Sequence, residues 1–309
     1  MSQSTELSFP STDGVNTVAA TLWEPDEPPR AVLQVCHGMG EHIGRYRWFA
    51  EQMTSRGIAV AGDDHLGHGR TASGAEELGY FGARDGYVHL MEDEHSLRRE
   101  LEKRYPGLPC FLLGHSMGSF ITRFYVSRHG EGLAGYLCCG TSGRNPLVKA
   151  AILLSNLLVG VQGGKTRGSL LNKLAFQDYN KRFAPAATGH EWLSRDPEVY
   201  LPFENDPYCG FVFTNAGFRD LFRLLDTVTG RKWSDRVPRD LPVILLSGEE
   251  DPVGQYGKGV RQVYAWLKES GVRDLSIRLY PGARHELHNE LNRDEFVADV
   301  AAWMEKRMG

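Results

Sequence analysis

Short apolar runs rich in β-branched and aliphatic residues alternate along this chain with stretches whose apolar positions recur at helical spacing. Strands are predicted at Val18–Trp23, Ala31–Cys36, Ile58–Gly62, Cys110–Leu113, Tyr136–Cys139, Val243–Leu246 and Leu275–Leu279. Helices are predicted at Arg45–Arg56, Val88–Tyr105, Ser116–Arg128, Gly257–Ser270 and Arg293–Arg307. A β-rich start followed by strict alternation is the pattern of an α/β fold, a mostly parallel central sheet flanked by helices.

The alternation lapses after Tyr136–Cys139 and resumes only at Leu241. A structureless loop of that length is improbable, so the region must form its own substructure. Asn145 suits an N-cap and Pro146 the first helical position, Leu147 to Val161 is apolar on most faces, and Gly163-Gly164 ends the run. A second helical stretch lies near Phe218–Leu225. Residues 143–239 are therefore expected to be an inserted helical cap, with 1–142 and 240–309 forming the core.

Composition narrows the function classes. The chain has 309 residues and a formal net charge of −4, with its cations scattered among acids. No electrostatic footprint for nucleic acid is visible. The first residues, MSQSTELSF, lack the basic start and apolar core of a signal peptide, and the apolar run Ala150–Val161 is too short to span a bilayer. A cytoplasmic protein is the expectation. Five cysteines, Cys36, Cys110, Cys138, Cys139 and Cys209, lack metal-site spacing, and at least three lie in strand-like runs. They are expected to be reduced and mostly buried.

The stretch FLLGHSMGSF carries the chemistry. Gly114-His115-Ser116-Met117-Gly118 matches G-x-S-x-G between a predicted strand and a predicted helix, where a tight turn lifts the serine hydroxyl clear of the sheet. A serine hydroxyl needs a general base and a group that orients the base. In this architecture they follow in the order acid, then histidine, each on a loop after a later strand. Ser247-Gly-Glu-Glu-Asp251-Pro follows one such strand and Pro281-Gly-Ala-Arg-His285 the next. Asp251 is the preferred acid, with Glu250 as the alternative; His285 is preferred to His288 as base, and His115 is expected to pack behind the turn.

An acyl-transfer oxyanion needs two fixed donors. Met117, after the serine, offers one N–H. The loop His37-Gly38-Met39-Gly40-Glu41-His42 offers the other, with the Met39 N–H as the best candidate. Asp63-Asp64-His65-Leu-Gly-His68 contains ligand types for a metal, but it reads as a glycine turn without a distant partner set, so no metal and no cofactor are expected. Val161-Gln-Gly-Gly-Lys165-Thr166 lacks the strand and spacing of a phosphate loop.

Taken in order, HGMGEHIGRY, DDHLGHGRT, GHSMGSF, SGEEDPVG and PGARHELHNE resemble the successive motifs of the monoacylglycerol lipase and lysophospholipase branch of the α/β-hydrolase superfamily. The resemblance covers most of the core and little of the cap beyond Asn205-Asp-Pro, and Ser119 stands where that family often carries glycine. It implies Ser116, Asp251 and His285 as a triad, the Met39 and Met117 amides as oxyanion hole, and a membrane-facing apolar cap. The expected function is hydrolysis of single-chain acyl esters, with a lipid-like small-molecule substrate and transient membrane-surface contact. Ile152, Leu153 and Leu157 are the expected cap contacts, although such residues equally suit the cap's own core. A lysophospholipase or short-chain carboxylesterase, an aminopeptidase or amidase using cap acids (Glu191, Asp196, Glu198, Glu204 or Asp206) for a substrate ammonium, and a hydrolase-fold binding protein remain alternatives.

Overall fold

The computed structural model describes residues 3–186 and 188–308. Eight strands form one sheet: β1 Gln3–Pro10, β2 Thr17–Glu24, β3 Ala31–Cys36, β4 Ile58–Asp64, β5 Cys110–His115, β6 Gly135–Cys139, β7 Val243–Gly248 and β8 Leu275–Tyr280. Their spatial order is β1-β2-β4-β3-β5-β6-β7-β8, antiparallel at the β1/β2 and β2/β4 pairings and parallel from β4 onward. The seven predicted strands are all present.

β1 was not expected. Its sequence, QSTELSFP, is mostly polar, because it is an edge strand that buries Phe9 and leaves Ser4, Glu6 and Ser8 exposed. The inner strands β3, β5, β6 and β7 are buried along their whole length, which is why they read as continuous apolar runs.

Helices cover both faces. On one, α1 (Arg47–Thr54) and α10 (Arg293–Glu305) pack Phe49, Met53, Phe296 and Val300 against Leu33, Leu113 and Leu246. On the other, α2 (Gly86–Arg104), α3 (Met117–His129) and α9 (Lys258–Glu269) contribute Leu90, Phe120, Ile121 and Val263. All five cysteines are free and buried.

Between β6 and β7 the chain forms α4 (Val148–Gln162), α5 (Ser169–Phe176), α6 (Pro197–Asn205), α7 (Asn215–Thr227) and the short α8 (Arg231–Ser234). Asn145 Oδ1 accepts the Leu147 N–H at 2.9 Å, so the chain turns at Asn145 and α4 begins two residues after Pro146. Gly163, at φ +96°, ends it. Among the described residues, no helix is long and apolar enough to cross a membrane.

Candidate active site

Ser116 sits between the end of β5 and the start of α3 at φ 54°, ψ −120°, a conformation that costs a side-chain-bearing residue energy unless its surroundings impose it. They do. A Cβ on Gly114 would overlap Thr122 and the Gly118 carbonyl, and one on Gly118 would overlap the carbonyls of Cys36 and His37. The Ser116 N–H donates to the Cys139 carbonyl at 3.0 Å, tying the turn to the neighbouring strand end. Ser119 uses its hydroxyl on the same turn, donating to the Ser116 carbonyl at 2.5 Å and lying 2.8 Å from Thr141 Oγ1, whose hydroxyl is free to donate to it.

Asp251 follows β7 and His285 follows β8. His285 Nδ1 lies 3.0 Å from Asp251 Oδ2, a close approach that is bent rather than linear, as such contacts often are before substrate tightens them. Its Nε2 is buried with no hydrogen bond to any described residue. Asp251 is fully buried; its Oδ1 accepts the Val253 N–H at 2.8 Å and its Oδ2 lies 3.3 Å from Ser247 Oγ. Burial works to lower the His285 pKa, but the Asp251 carboxylate, helped by Glu286 and Glu41, outweighs it and raises the pKa above the ordinary 6.5.

The alternatives lie elsewhere. The Glu250 side chain is 45% exposed and faces Arg182 at 3.6 Å. His288 is buried flat against Tyr46, with ring centroids 4.3 Å apart, and burial pushes its pKa down to about 3. His115 is buried behind the turn with its ring 4.6 Å from that of His285, and burial first, then the two neighbouring histidines, holds it well below 6.5.

In the loop after β3, the Gly38 N–H donates to Glu41 Oε1 at 2.6 Å and the Gly40 N–H to His68 Nε2 at 3.3 Å. The Met39 N–H between them, like that of Met117, makes no hydrogen bond to a described residue. Met39, Ser116, Met117 and His285 all line one cavity of about 980 Å³, at the upper end of the ordinary size for a ligand site.

The rest of the cavity is mostly apolar, with walls that include Phe120, Leu171, Phe176, Phe211 and Leu225. The contribution of α4 differs from expectation. Ile152, Leu153 and Leu157 do not line the cavity; Leu147, Ala150, Ala151 and Leu154 do. These recur at the three-to-four-residue spacing of one helix face, whereas Leu153 and Leu157 fall on another and are 71% and 60% exposed. None of Glu191, Asp196, Glu198, Glu204 and Asp206 lines the cavity. Glu191 accepts from Asn180 and Thr188, Asp196 caps α6, Glu204 pairs with His190, and Asp206 pairs with His42.

Two features escaped the sequence reading. Arg45, its side chain 11% exposed, lies between Glu41 and Glu286, and its pairing with Glu286 links residues 241 apart, for which no local pattern exists. The turn around Trp192 lies on the histidine loop: the Trp192 carbonyl and that of Leu193 accept the His285 and Glu286 N–H groups at 3.4 and 2.8 Å, and the Trp192 ring sits 5.0 Å from the His285 ring. Pairing of this kind leaves no signature in hydropathy.

A half-buried serine and a buried histidine lining one apolar cavity, with a buried carboxylate behind the histidine and unengaged amides at Met39 and Met117, make an arrangement suited to acyl transfer. Comparison with known proteins agrees in class. The profile of the serine aminopeptidase S33 family matches residues 27–292. A crystal structure of a highly thermostable carboxyl esterase from Bacillus coagulans, in complex with glycerol, superposes with a TM-score of 0.93 at 35% identity, covering 99% of each chain. The monoacylglycerol lipase of Mycolicibacterium smegmatis is 29% identical over 97% of this chain and 96% of its own, and human monoglyceride lipase 27% identical over 92% and 86%. The chain belongs to the serine aminopeptidase S33 family of α/β-hydrolases, as a monoacylglycerol lipase-like serine ester hydrolase.

Proposed function

We propose that the protein hydrolyses single-chain carboxylic esters, long-chain monoacylglycerols foremost, through an acyl-enzyme on Ser116. The observation that carries this reading is the cavity: about 980 Å³, mostly apolar, with Met39, Ser116, Met117 and His285 all in its lining. Its walls suit an acyl chain, and the one cap acid among its lining residues, Asp178, is already paired with Lys181 Nζ at 2.6 Å rather than free for an ammonium, which favours an ester over an amino-terminal peptide. The glycerol in the Bacillus coagulans esterase is the alcohol that monoacylglycerol hydrolysis would release.

The chemistry follows from the geometry. His285 Nε2 takes the Ser116 proton as Oγ attacks the ester carbonyl carbon. The carbonyl oxygen becomes an oxyanion and is met by the Met39 and Met117 N–H groups. Asp251 holds Nδ1–H of the imidazole, fixing the tautomer that leaves Nε2 free and stabilising the imidazolium. Collapse breaks the bond to the leaving alcohol, which receives the proton from Nε2. Water then gives its proton to His285, attacks the acyl-enzyme through a second oxyanion, and releases the fatty acid with Ser116 reprotonated.

Residues 143–239 would act as the cap over this cavity. Leu153, Leu157 and Val161, all strongly exposed on the outer face of α4, suit shallow contact with a lipid surface from the aqueous side. The test is fatty-acid release from long-chain monoacylglycerol, lysophosphatidylcholine and short-chain esters, with Ser116→Ala beside the wild type. Preference for long-chain monoacylglycerol, abolished in the variant, is the expected result; turnover of short esters alone would overturn the lipid assignment.

A further inference from the structure

Beneath the loop that carries Met39 lies a group of buried ionisable side chains for which the proposed chemistry has no direct use. Asp63 stands near the end of β4 and His65 just beyond it, Glu94 on α2, and Cys36 at the end of β3; each is at most 1% exposed. His65 is the centre. Its Nδ1 is 3.1 Å from Asp63 Oδ2 and 3.7 Å from Glu94 Oε1; its Nε2 is 3.1 Å from the His37 carbonyl and 3.6 Å from Cys36 Sγ. Gln34 holds Glu94 from the other side through Nε2, at 2.5 Å to Oε2. The His37 ring stacks on that of His65 at 3.8 Å.

The partners assign the protons. His37 Nε2 accepts the His65 backbone N–H at 3.2 Å, so the His37 proton is on Nδ1, where it donates to the Gly38 carbonyl at 2.8 Å. His68 Nε2 accepts the Gly40 N–H, so its proton is on Nδ1 and donates to the Leu66 carbonyl at 3.0 Å. Both are neutral rings, held below their ordinary pKa by burial and then by the His65 charge. His65 alone has an acceptor at each nitrogen, a carboxylate at one and a backbone carbonyl at the other, and both are satisfied only by an imidazolium. Burial opposes that charge, but Asp63 and then Glu94 outweigh it and lift the His65 pKa to about 9. Cys36, kept as a neutral thiol by burial, adds no competing charge.

These contacts converge on five residues of chain. The His37 carbonyl is held by His65, the Gly38 N–H by Glu41 and the Gly40 N–H by His68. The Met39 N–H is left between them, at the cavity wall.

We infer that His65 is a positioning residue for the oxyanion hole: with Asp63 fixing its ring on one side, its Nε2–H holds the His37 carbonyl on the other and so keeps the Met39 N–H presented to the reacting oxygen. This rests on the reading of Ser116 as nucleophile and Met39 as oxyanion donor. Displacing such a donor by about 1 Å is enough to cost on the order of 100-fold in rate, with little effect on ground-state binding.

Two isosteres separate a hydrogen-bond role from space filling. The amide nitrogen of Asn mimics Nδ1 and that of Gln mimics Nε2. His65→Asn therefore loses the bond to the His37 carbonyl, and His65→Gln restores it. The expected result is a fall in kcat of about 10- to 100-fold in His65→Asn with KM within about threefold, recovered in large part in His65→Gln. Binding of a trifluoromethyl ketone, which forms a tetrahedral oxyanion on the serine, should weaken in parallel with kcat/KM. Wild-type kinetics in His65→Asn, or equal losses in both variants carried by KM, would overturn the inference. Should the variants fail to fold, nitrogen NMR of the wild-type imidazoles at pH 7.5 decides it: a proton on His65 Nε2 is expected, and a His65 Nε2 that carries none overturns the inference. Ser116→Ala, run alongside, separates the two claims: activity surviving there defeats the nucleophile reading, while its loss with an unaffected His65→Asn defeats only this one.

Discussion

The Arg45 guanidinium meets the Glu286 carboxylate as a two-pronged pair, Nη1 to Oε1 and Nη2 to Oε2 both at 2.7 Å, immediately after His285 in the chain. The same Nη1 reaches Glu41 Oε2 at 2.7 Å, on the loop that carries Met39. One cation therefore joins the loop of the proposed base to the loop of the proposed oxyanion donor. Because it serves Glu286 with both prongs, Glu286 is the partner held ionised: burial raises its pKa, and Arg45 outweighs burial and brings it down to about 2. Glu41 is left with burial dominant and sits above its ordinary 4.5.

Removing the cation leaves two buried acids uncompensated. Arg45→Ala is expected to lose about 3–5 kcal/mol of stability, and Arg45→Lys to recover only part, since an ammonium has no planar fork to match a carboxylate. Denaturant melts of both variants measure this. A wild-type midpoint in Arg45→Ala would mean that the network contributes nothing to folding.

The depressed pKa of Glu286 also sets a pH window. Its stabilising contribution is complete above about 4.5 and is lost as pH falls through about 2. The difference in melting temperature between wild type and Glu286→Gln should therefore be constant near neutrality and shrink below pH 4.5. A difference that grows on acidification would contradict the assignment.

His285 is shifted the other way, with opposite consequences for activity and stability. A base must be neutral to take a proton, so a raised pKa places the acid limb of kcat/KM above pH 6.5. The Asp251 pair stabilises the folded state fully below about 6.5, and that contribution is lost as pH rises through the folded pKa. Asp251→Asn should move the acid limb down and cut kcat severely, by as much as about 10⁴ on the pattern of serine proteases. An unmoved limb would separate Asp251 from the base.

The two faces of α4 should behave differently. Leu154 lines the cavity and Leu153 and Leu157 do not. Leu154→Ser should weaken turnover of dispersed long-chain ester more than that of a short ester. Leu153→Ser with Leu157→Ser should leave dispersed substrate unaffected and reduce turnover on vesicles, read together with a sedimentation assay of vesicle binding. Identical losses in both assays for both variants would erase the distinction between lining and surface.

Glycine positions offer a contrast within one experiment. Ala at Gly118 would drive a methyl group into the Cys36 and His37 carbonyls, backbone that cannot swing aside, and should cost about 1–3 kcal/mol and most of the activity. Ala at Gly160, in α4 with open space around it, should leave activity intact and add up to about 1 kcal/mol. Thermal melts of the pair test whether the turn at Ser116 is set by close backbone approach.

What was legible in the sequence was what local pattern encodes. The buried strands announce themselves as apolar runs such as Val243-Ile-Leu-Leu, and the GHSMG turn by glycines that packing on Thr122 and Cys36 demands. Asp251 and His285, which the fold brings to 3.0 Å from one another, could be singled out because they follow strands, a relation of chain order. β1 was hidden because an edge strand buries only one side. The pairing of Arg45 with Glu286, the seat of Trp192 on the histidine loop and the acceptors around His65 were hidden because they join distant segments. For α4, apolar content marked the helix, but only packing revealed which face meets the cavity.

The most direct test of the central claim is to trap the covalent intermediate. Protein mixed with a long-chain monoacylglycerol or an activated decanoyl ester, quenched in acid within the first turnover and digested, should yield the Ser116 peptide heavier by one acyl group. Ser116→Ala should show neither adduct nor turnover. Turnover in that variant, or an acyl group mapped to any other side chain, would contradict the account.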